Sequence, residues 1–137
     1  ASSGMVLGTH GSTFGGNPLA MEIGNAVLDI VLEDGFIENV NAKARIFAQH
    51  LAELVDTYPD LLEDVRGKGL LMGMKCRISN LNVVAKMRDH KVLVVGAGEN
   101  VIRILPPLVV TDEEISAMKA NMISALDALR ADQGCSG

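Results

Sequence analysis

Cysteine, clustered basic residues and long apolar runs are all scarce in this chain of 137 residues. Its two cysteines, Cys76 and Cys135, are too few for a disulfide framework, which predicts a reducing, cytoplasmic compartment. The net charge is −5 and no cluster of lysine and arginine occurs, so neither a nucleic-acid partner nor an anionic membrane surface is predicted. No apolar run is long enough to cross a bilayer, and no secretory signal peptide is predicted.

Patterns typical of metal and nucleophilic sites are also missing. The three histidines, His10, His50 and His90, have no metal-ligand spacing, and Cys76 has no second ligand near it. No combination of nucleophile, base and orienting residue can be assembled from the chain. The residues therefore predict no metal centre and no self-contained catalytic machinery.

The composition that remains is typical of one globular domain, with 48% hydrophobic and 21% charged residues. Asn17 followed by Pro18 predicts the N-terminus of a helix that extends to about residue 32 or 33. Apolar residues lie nearly all round this helix, so we expect it to be buried on more than one side. A second, amphipathic helix is predicted over residues 37–58, where apolar residues recur at helical spacing.

The second half of the chain alternates strand and helix signals. Glycines in residues 64–76 favour one bent strand or two short ones, and residues 81–90 fit a third helix. Residues 91–95 and 101–105 are predicted to form a hairpin. Thr111 and Glu114 form a capping box that begins a last helix reaching about residue 130. The fold class predicted is α+β: a small, mostly antiparallel sheet covered by about four helices.

The glycine-rich segment of residues 10–16 is the first candidate binding site. Its free backbone N–H groups, the hydroxyls of Ser12 and Thr13, and the helix N-terminus that follows would favour an anion such as phosphate. It is not a P-loop, because no Gly-Lys-Ser/Thr follows. The alternative is a flexible linker in front of a well-capped helix, which composition alone favours.

Two arginines are the other candidates. Arg103 is a lone cation in an apolar strand, so it must point either to solvent on the wet face or to an anionic partner. Arg66 lies in a glycine-rich segment, and we expect it to pair with a carboxylate or to pack against the turn.

Three segments resemble, in the same order, the class III pyridoxal-phosphate aminotransferases. They are GTHGSTFGGNPLA at residues 8–20, VRGKGLLMG at 65–73 and AGENVIRILPPL at 97–108, and a threonine-capped helix follows the last. The resemblance covers essentially the whole chain. It implies an enzyme that uses pyridoxal 5′-phosphate, acts as a homodimer, and takes small-molecule amino-acid and 2-oxo-acid substrates.

The resemblance also assigns roles to single residues. Thr13, with Ser12 beside it, would contact the cofactor phosphate of the neighbouring subunit. Arg103 would meet a substrate carboxylate, for which a planar guanidinium is well suited.

In this family the lysine that binds the cofactor covalently lies upstream of the first motif, in the large domain. None of the six lysines here stands in a matching position. Residues 17–137 are therefore expected to be the C-terminal small domain, and residues 1–16 a residual large-domain segment carrying the phosphate-contact loop. Alone, such a chain is predicted to be inactive and to lack bound cofactor. The alternatives are a stand-alone anion-binding module and a non-catalytic assembly domain.

Overall fold

A computed structural model describes residues 11–134 of the chain. The first three residues of the first motif and Cys135 lie outside the described residues. The chain divides into two compact units, one ending at Ile37 and the other beginning at Glu38. The predicted boundary between a residual large-domain segment (residues 1–16) and the small domain (residues 17–137) stays a prediction. In chain order the elements are α1 (Pro18–Val31), α2 (Phe36–Thr57), β1 (Leu62–Lys68), β2 (Leu71–Cys76), α3 (Asn80–Asp89), β3 (Val95–Ala97), β4 (Val101–Ile104) and α4 (Asp112–Gly134).

The first unit contains α1, which begins as the sequence predicts. The side chain of Asn17 accepts a hydrogen bond of 2.9 Å from the backbone N–H of Ala20, and Pro18 occupies the first turn. The prediction that this helix is buried on more than one side is wrong, because none of its residues is buried in the structure. Its apolar side chains surround the axis, and the described residues of this unit, from 11 to 37, form no second layer that covers them.

The second unit is built on a four-stranded sheet in the order β1-β2-β4-β3, with every neighbouring pair antiparallel. Residues 64–76 form two strands joined by the two-residue loop Gly69-Leu70. Gly69 has φ +60°, the conformation that the first position of a type II′ hairpin turn requires. The predicted α+β class and antiparallel sheet are confirmed.

Helices α2, α3 and α4 cover one face of this sheet. Along β2 and β4 the buried residues alternate with more exposed ones, so the inner face forms a core and the outer face stays open. The largest fully buried side chains are Phe47, Leu51, Leu54, Leu61, Leu62, Met74, Val83, Met87, Ile102, Ile115, Met122 and Leu126. Among residues 11–134, no helix has the length and hydropathy that a membrane crossing requires.

The prediction of a strand over residues 91–95 is wrong, since only Val95 of that range belongs to β3. Lys91 adopts φ +64°, and the backbone N–H of Val92 donates to the carbonyl of Met87 at 2.8 Å, which ends α3. Val92 and Val94 are buried. The β-branched pattern here therefore reflects packing of side chains against the core and not pairing in the sheet.

The capping box that begins α4 is confirmed in both directions. The backbone N–H of Thr111 donates to Glu114 Oε2 at 2.8 Å, and the N–H of Glu114 donates to Thr111 Oγ1 at 3.2 Å. The helix continues to Gly134, a turn further than predicted.

Candidate functional site

The loop before α1 presents both predicted hydroxyls to solvent, since Ser12 and Thr13 are exposed. The loop turns back on itself: an added Cβ at Gly15 would lie 3.0 Å from Ser12 Oγ. Asn17 Nδ2 donates to the carbonyl of Phe14 at 2.6 Å, tying the loop to the start of the helix. Exposed hydroxyls beside a helix N-terminus suit a phosphate group chemically. The assignment of Ser12 and Thr13 to a cofactor phosphate stays a prediction.

Arg103 lies on β4, an inner strand of the sheet. In the ladder it is paired with Gly73 of β2 on one side and with Val95 of β3 on the other. Its chain neighbours Ile102 and Ile104 are buried in the core, so Arg103 projects from the opposite, outer face and is exposed. Within residues 11–134 its guanidinium forms no hydrogen bond or ion pair. It is therefore on the wet face, open to an anion.

The start of β4 is held in place by Asn100, a residue that sequence reasoning did not single out. Asn100 Nδ2 donates to the carbonyls of Cys76 and Ile78 at 2.7 and 2.8 Å. Asn100 has φ +61°, a left-handed conformation that asparagine tolerates better than most residues. These contacts fix the turn three residues before Arg103. The sequence signal was the asparagine next to a glycine-containing turn, within the third motif.

Arg66 lies in the same row of the sheet as Arg103, because both residues pair with Gly73. Its guanidinium is 3.4 Å from the carboxylate of Glu99, and both side chains are largely exposed. The prediction that Arg66 pairs with a carboxylate is thus confirmed. Lys75 Nζ donates to the backbone carbonyl of Glu99 at 2.5 Å, which adds a second link to this turn. The structure brings the two arginines together, whereas Ser12 and Thr13 belong to the other unit.

Cys76 has no features of a reactive thiol. It is buried on the inner face of the sheet, and burial raises the pKa of its thiol to about 11. A thiol with so high a pKa stays protonated near neutrality and is a poor nucleophile. Across the described part of the chain, no three histidine, cysteine, aspartate or glutamate residues are grouped so that they could hold a metal ion.

Both the sequence and the fold match known proteins. The profile of the class III aminotransferases matches residues 2–126, so the chain belongs to the class III aminotransferase family. The resemblance carried by the three motifs is thereby confirmed.

Within that family the chain is similar to acetylornithine aminotransferases. It is 58% identical over 115 residues to the enzyme of Mesorhizobium japonicum, a match that covers 84% of this chain and 29% of the relative. It is 53% identical over 133 residues to the enzyme of Agrobacterium fabrum, covering 97% of this chain and 33% of the relative. The chain therefore spans about a third of the length of these relatives.

A solved structure shows the same fold. The ornithine aminotransferase of Toxoplasma gondii, crystallised with partial occupancy of pyridoxal phosphate in its active site, superposes with a TM-score of 0.81 at 28% identity. That match covers 97% of this chain and 32% of the other.

Proposed function

We propose that the chain is the C-terminal domain of an acetylornithine aminotransferase. The complete enzyme would transfer the δ-amino group of acetylornithine to 2-oxoglutarate, in the cytoplasm, as a step of arginine biosynthesis. The names of the relatives at 58% and 53% identity support the choice of substrate. Ornithine, succinylornithine and 4-aminobutyrate aminotransferases share much of the three motifs and are the alternatives within the family.

The observation that carries this proposal is the position of Arg103. An exposed guanidinium without a partner among residues 11–134, on an inner strand whose start is anchored by Asn100, offers a fork for a carboxylate. An amino-acid substrate must be held in one orientation while its amino group reacts. Two parallel N–H···O bonds from one guanidinium fix both the position and the plane of the carboxylate.

The residues of the first loop suit the phosphate of pyridoxal 5′-phosphate. Ser12 and Thr13 would hold that phosphate through their hydroxyls, acting on the neighbouring subunit of a homodimer. When bound, the cofactor supplies the electron sink for the amino transfer, while the protein supplies orientation and electrostatics. This chain would contribute the carboxylate fork and part of the phosphate grip, but no group that moves a proton.

Alone, the chain is proposed to be inactive and not to bind the cofactor covalently, since none of its lysines matches the family's cofactor lysine. The purified chain can be incubated with pyridoxal phosphate, reduced with borohydride and mapped for labelled lysines. Scattered, substoichiometric labelling is expected. A stoichiometric pyridoxyl group on one lysine would contradict this part of the proposal.

The role of Arg103 can be tested in the complete enzyme that would carry this chain. Arg103→Ala removes a charge-assisted bond worth roughly 1.5–3 kcal/mol, which corresponds to a loss of about ten- to a hundredfold in kcat/KM. Arg103→Lys keeps the charge but not the fork, so it should restore only part of the activity.

Arg88→Ala is the matched control, because Arg88 is exposed at the end of α3, away from the row. The melting temperatures of all three variants should stay near that of the unsubstituted enzyme, since strand burial depends on Ile102 and Ile104. A kcat/KM for Arg103→Ala within about threefold of the unsubstituted enzyme would reduce Arg103 to an ordinary surface residue.

A further inference from the structure

The connection between α1 and α2 contains the dipeptide Asp34-Gly35, the single place in the sequence where a glycine directly follows an aspartate or an asparagine. An aspartate side chain has the length that lets its carboxyl carbon close a five-membered ring on the backbone nitrogen of the next residue. Glycine has no Cβ beside that nitrogen, so it hinders ring closure least. The chemistry of this one dipeptide therefore differs from that of every other aspartate in the chain.

Both reacting groups are free in the structure. Asp34 and Gly35 are exposed, and among residues 11–134 neither the carboxylate of Asp34 nor the N–H of Gly35 forms a hydrogen bond or an ion pair. Asp127 and Asp60 differ in this respect, because Asp127 accepts a hydrogen bond from Tyr58 and Asp60 is paired with an arginine. The carboxyl group of Asp34 and the nitrogen that it would meet are thus both available.

The backbone around this dipeptide has room to rotate. Gly35 has φ +84°, and no heavy atom lies within 4 Å of the position where a Cβ would be added. Asp56 is equally exposed but lies inside α2, where the N–H of the following Thr57 belongs to the helical hydrogen-bond ladder. An aspartate in a helix must break that ladder before its side chain can reach the next nitrogen. Asp56 is therefore the natural slow reference within the same chain.

We propose that Asp34-Gly35 is a modification site at which the aspartate isomerises spontaneously to isoaspartate. The nitrogen of Gly35 attacks Cγ of the protonated Asp34 carboxyl group, a C–N bond forms, and the hydroxyl of that carboxyl group leaves with the proton of the nitrogen as water. The resulting succinimide ring then takes up one water molecule. Opening at the side-chain carbonyl restores aspartate, and opening at the main-chain carbonyl yields isoaspartate, so no oxidant, reductant or second enzyme is consumed.

The product would alter the entry to α2. The backbone N–H of Phe36 donates to the carbonyl of Glu33 at 3.1 Å, and the ring that this hydrogen bond closes includes both Asp34 and Gly35. In isoaspartate the main chain runs through Cβ and Cγ, which lengthens that ring by one atom. The turn before α2 is therefore lost or rebuilt when the dipeptide isomerises, and the amide of Phe36 should exchange faster with solvent in the isomerised chain.

Incubation of the purified, folded chain at neutral pH in water enriched in the heavy oxygen isotope provides the test. Each passage through the succinimide places one solvent oxygen in the residue, and fragmentation of the digested chain in a mass spectrometer locates it. Asp34 should take up the isotope at least about tenfold faster than Asp56, a ratio that corresponds to about 1.4 kcal/mol in the barrier. An isoaspartate peptide of unchanged composition should separate chromatographically from its aspartate form. Equal uptake at the two aspartates would overturn the proposal.

Two substitutions check the ring that the proposal requires. Asp34→Glu keeps the charge and the glycine, but its longer side chain can close only a less favourable six-membered ring, so uptake should fall to the level seen at Asp56. Asp34→Asn forms the same succinimide with loss of ammonia and should yield both aspartate and isoaspartate at position 34. Asp56→Glu is the matched control and should leave the rate at Asp34 unchanged. Uptake at position 34 that persists in Asp34→Glu would refute the ring mechanism.

A comparison with the unfolded chain tests the contribution of the structure. Because the folded turn leaves both groups free, isomerisation in the native chain should be within about tenfold of the rate in guanidinium chloride, a difference of at most about 1.4 kcal/mol in the barrier. Asp56 should be the opposite case and react faster after unfolding, since its helix is then lost. A folded chain in which Asp34 reacts more slowly than this limit would show that the turn protects the dipeptide, and the proposal would be wrong.

Discussion

The side chain of Asn100 accepts a hydrogen bond of 2.8 Å from the backbone N–H of Asn80, twenty residues earlier in the chain. In return, Asn80 Nδ2 donates to the carbonyls of Ala97 and Val101, on either side of the turn that contains Asn100. The two asparagines thus tie the N-terminus of α3 to the β3–β4 connection. We call this pair the asparagine clamp; it fixes the start of β4 and therefore the position of Arg103.

Asn100→Ala should destabilise the fold by about 2–4 kcal/mol, because it leaves two carbonyls and one N–H without their partner and places alanine at a positive φ. Asn100→Gly removes the same hydrogen bonds but relieves the backbone strain, so it should cost less. Urea unfolding of the purified chain measures both. Asn82→Ala, an exposed position on α3, should stay within about 0.5 kcal/mol. Equal losses at positions 82 and 100 would contradict the clamp.

Gly67→Ala should cost about 3 kcal/mol or more. Gly67 has φ +148°, and a Cβ there would lie 2.2 Å from the carbonyl oxygen of Leu71 and 2.8 Å from Met72 Cα, both backbone atoms that cannot easily move. Gly69→Ala is the matched comparison, because its φ is +60° but nothing lies within 4 Å of the added Cβ. It should cost only about 1–2 kcal/mol of conformational strain. Thermal unfolding of the two variants would refute the steric argument if their losses were the same.

Tyr58 should make the fold sensitive to alkali. Burial, followed by the hydrogen bond that its hydroxyl donates to Asp127 at 2.7 Å, raises the pKa of Tyr58 from 10.0 to about 12. Because the folded state holds this proton more tightly, the stabilisation is complete below pH 10 and is lost as the pH rises towards about 12. Tyr58 is the chain's single tyrosine and there is no tryptophan, so ultraviolet absorbance of the phenolate follows this group alone.

Two substitutions check the origin of that shift. Asp127→Asn should lower the pKa of Tyr58 part of the way towards 10, because the negative charge is lost while burial remains. Tyr58→Phe should flatten the dependence of the free energy of unfolding on pH between pH 10 and 12. An unsubstituted chain whose tyrosine titrates at its ordinary pKa while still folded would refute the prediction.

The hydrogen bonds of the capping box of α4 should stabilise the fold beyond the effect of the negative charge of Glu114. Glu114→Ala removes the acceptor for the N–H of Thr111 and should cost about 1 kcal/mol, as should Thr111→Ala. Glu113→Ala removes the same charge from the same turn without breaking the box, and only the smaller helix-dipole effect of about 0.3–1 kcal/mol should be lost. Urea denaturation would contradict this account if the two glutamate variants were equally unstable.

The sequence predicted the helix starts correctly where the hydrogen bonds that form them join residues only a few positions apart. Asn17-Pro18 and Thr111 with Glu114 mark helix starts in the sequence, and both caps form the expected hydrogen bonds. The prediction of a strand over residues 91–95 was wrong because β-branched residues suit a sheet and a buried extended segment equally well. The hydrogen bond from Val92 to Met87, which decides between them, depends on where α3 ends.

In the candidate site, too, the sequence predicted the features that depend on neighbouring residues and not those that depend on the complete sheet. Arg103 could be singled out from an apolar strand, and its exposure follows from the alternation of Ile102 and Ile104. Its neighbourhood could not be predicted, because Arg66 and Gly73 approach it only through the register of three strands, and the paired residues Gly73 and Arg103 are 30 positions apart in the sequence. The clamp of Asn80 and Asn100 likewise joins residues whose proximity depends on the complete sheet.

The position of β4 between β2 and β3 has an entropic consequence for any ligand of Arg103. Its backbone is ordered by both neighbouring strands before a ligand arrives, so binding restricts little more than one side chain, at a cost of about 0.5–1.5 kcal/mol. An arginine on a flexible loop would add about 1–2 kcal/mol for every backbone residue that became ordered. A carboxylate that bound to Arg103 would therefore meet a preorganised backbone, and one that missed the fork could not be accommodated by a shift of the main chain.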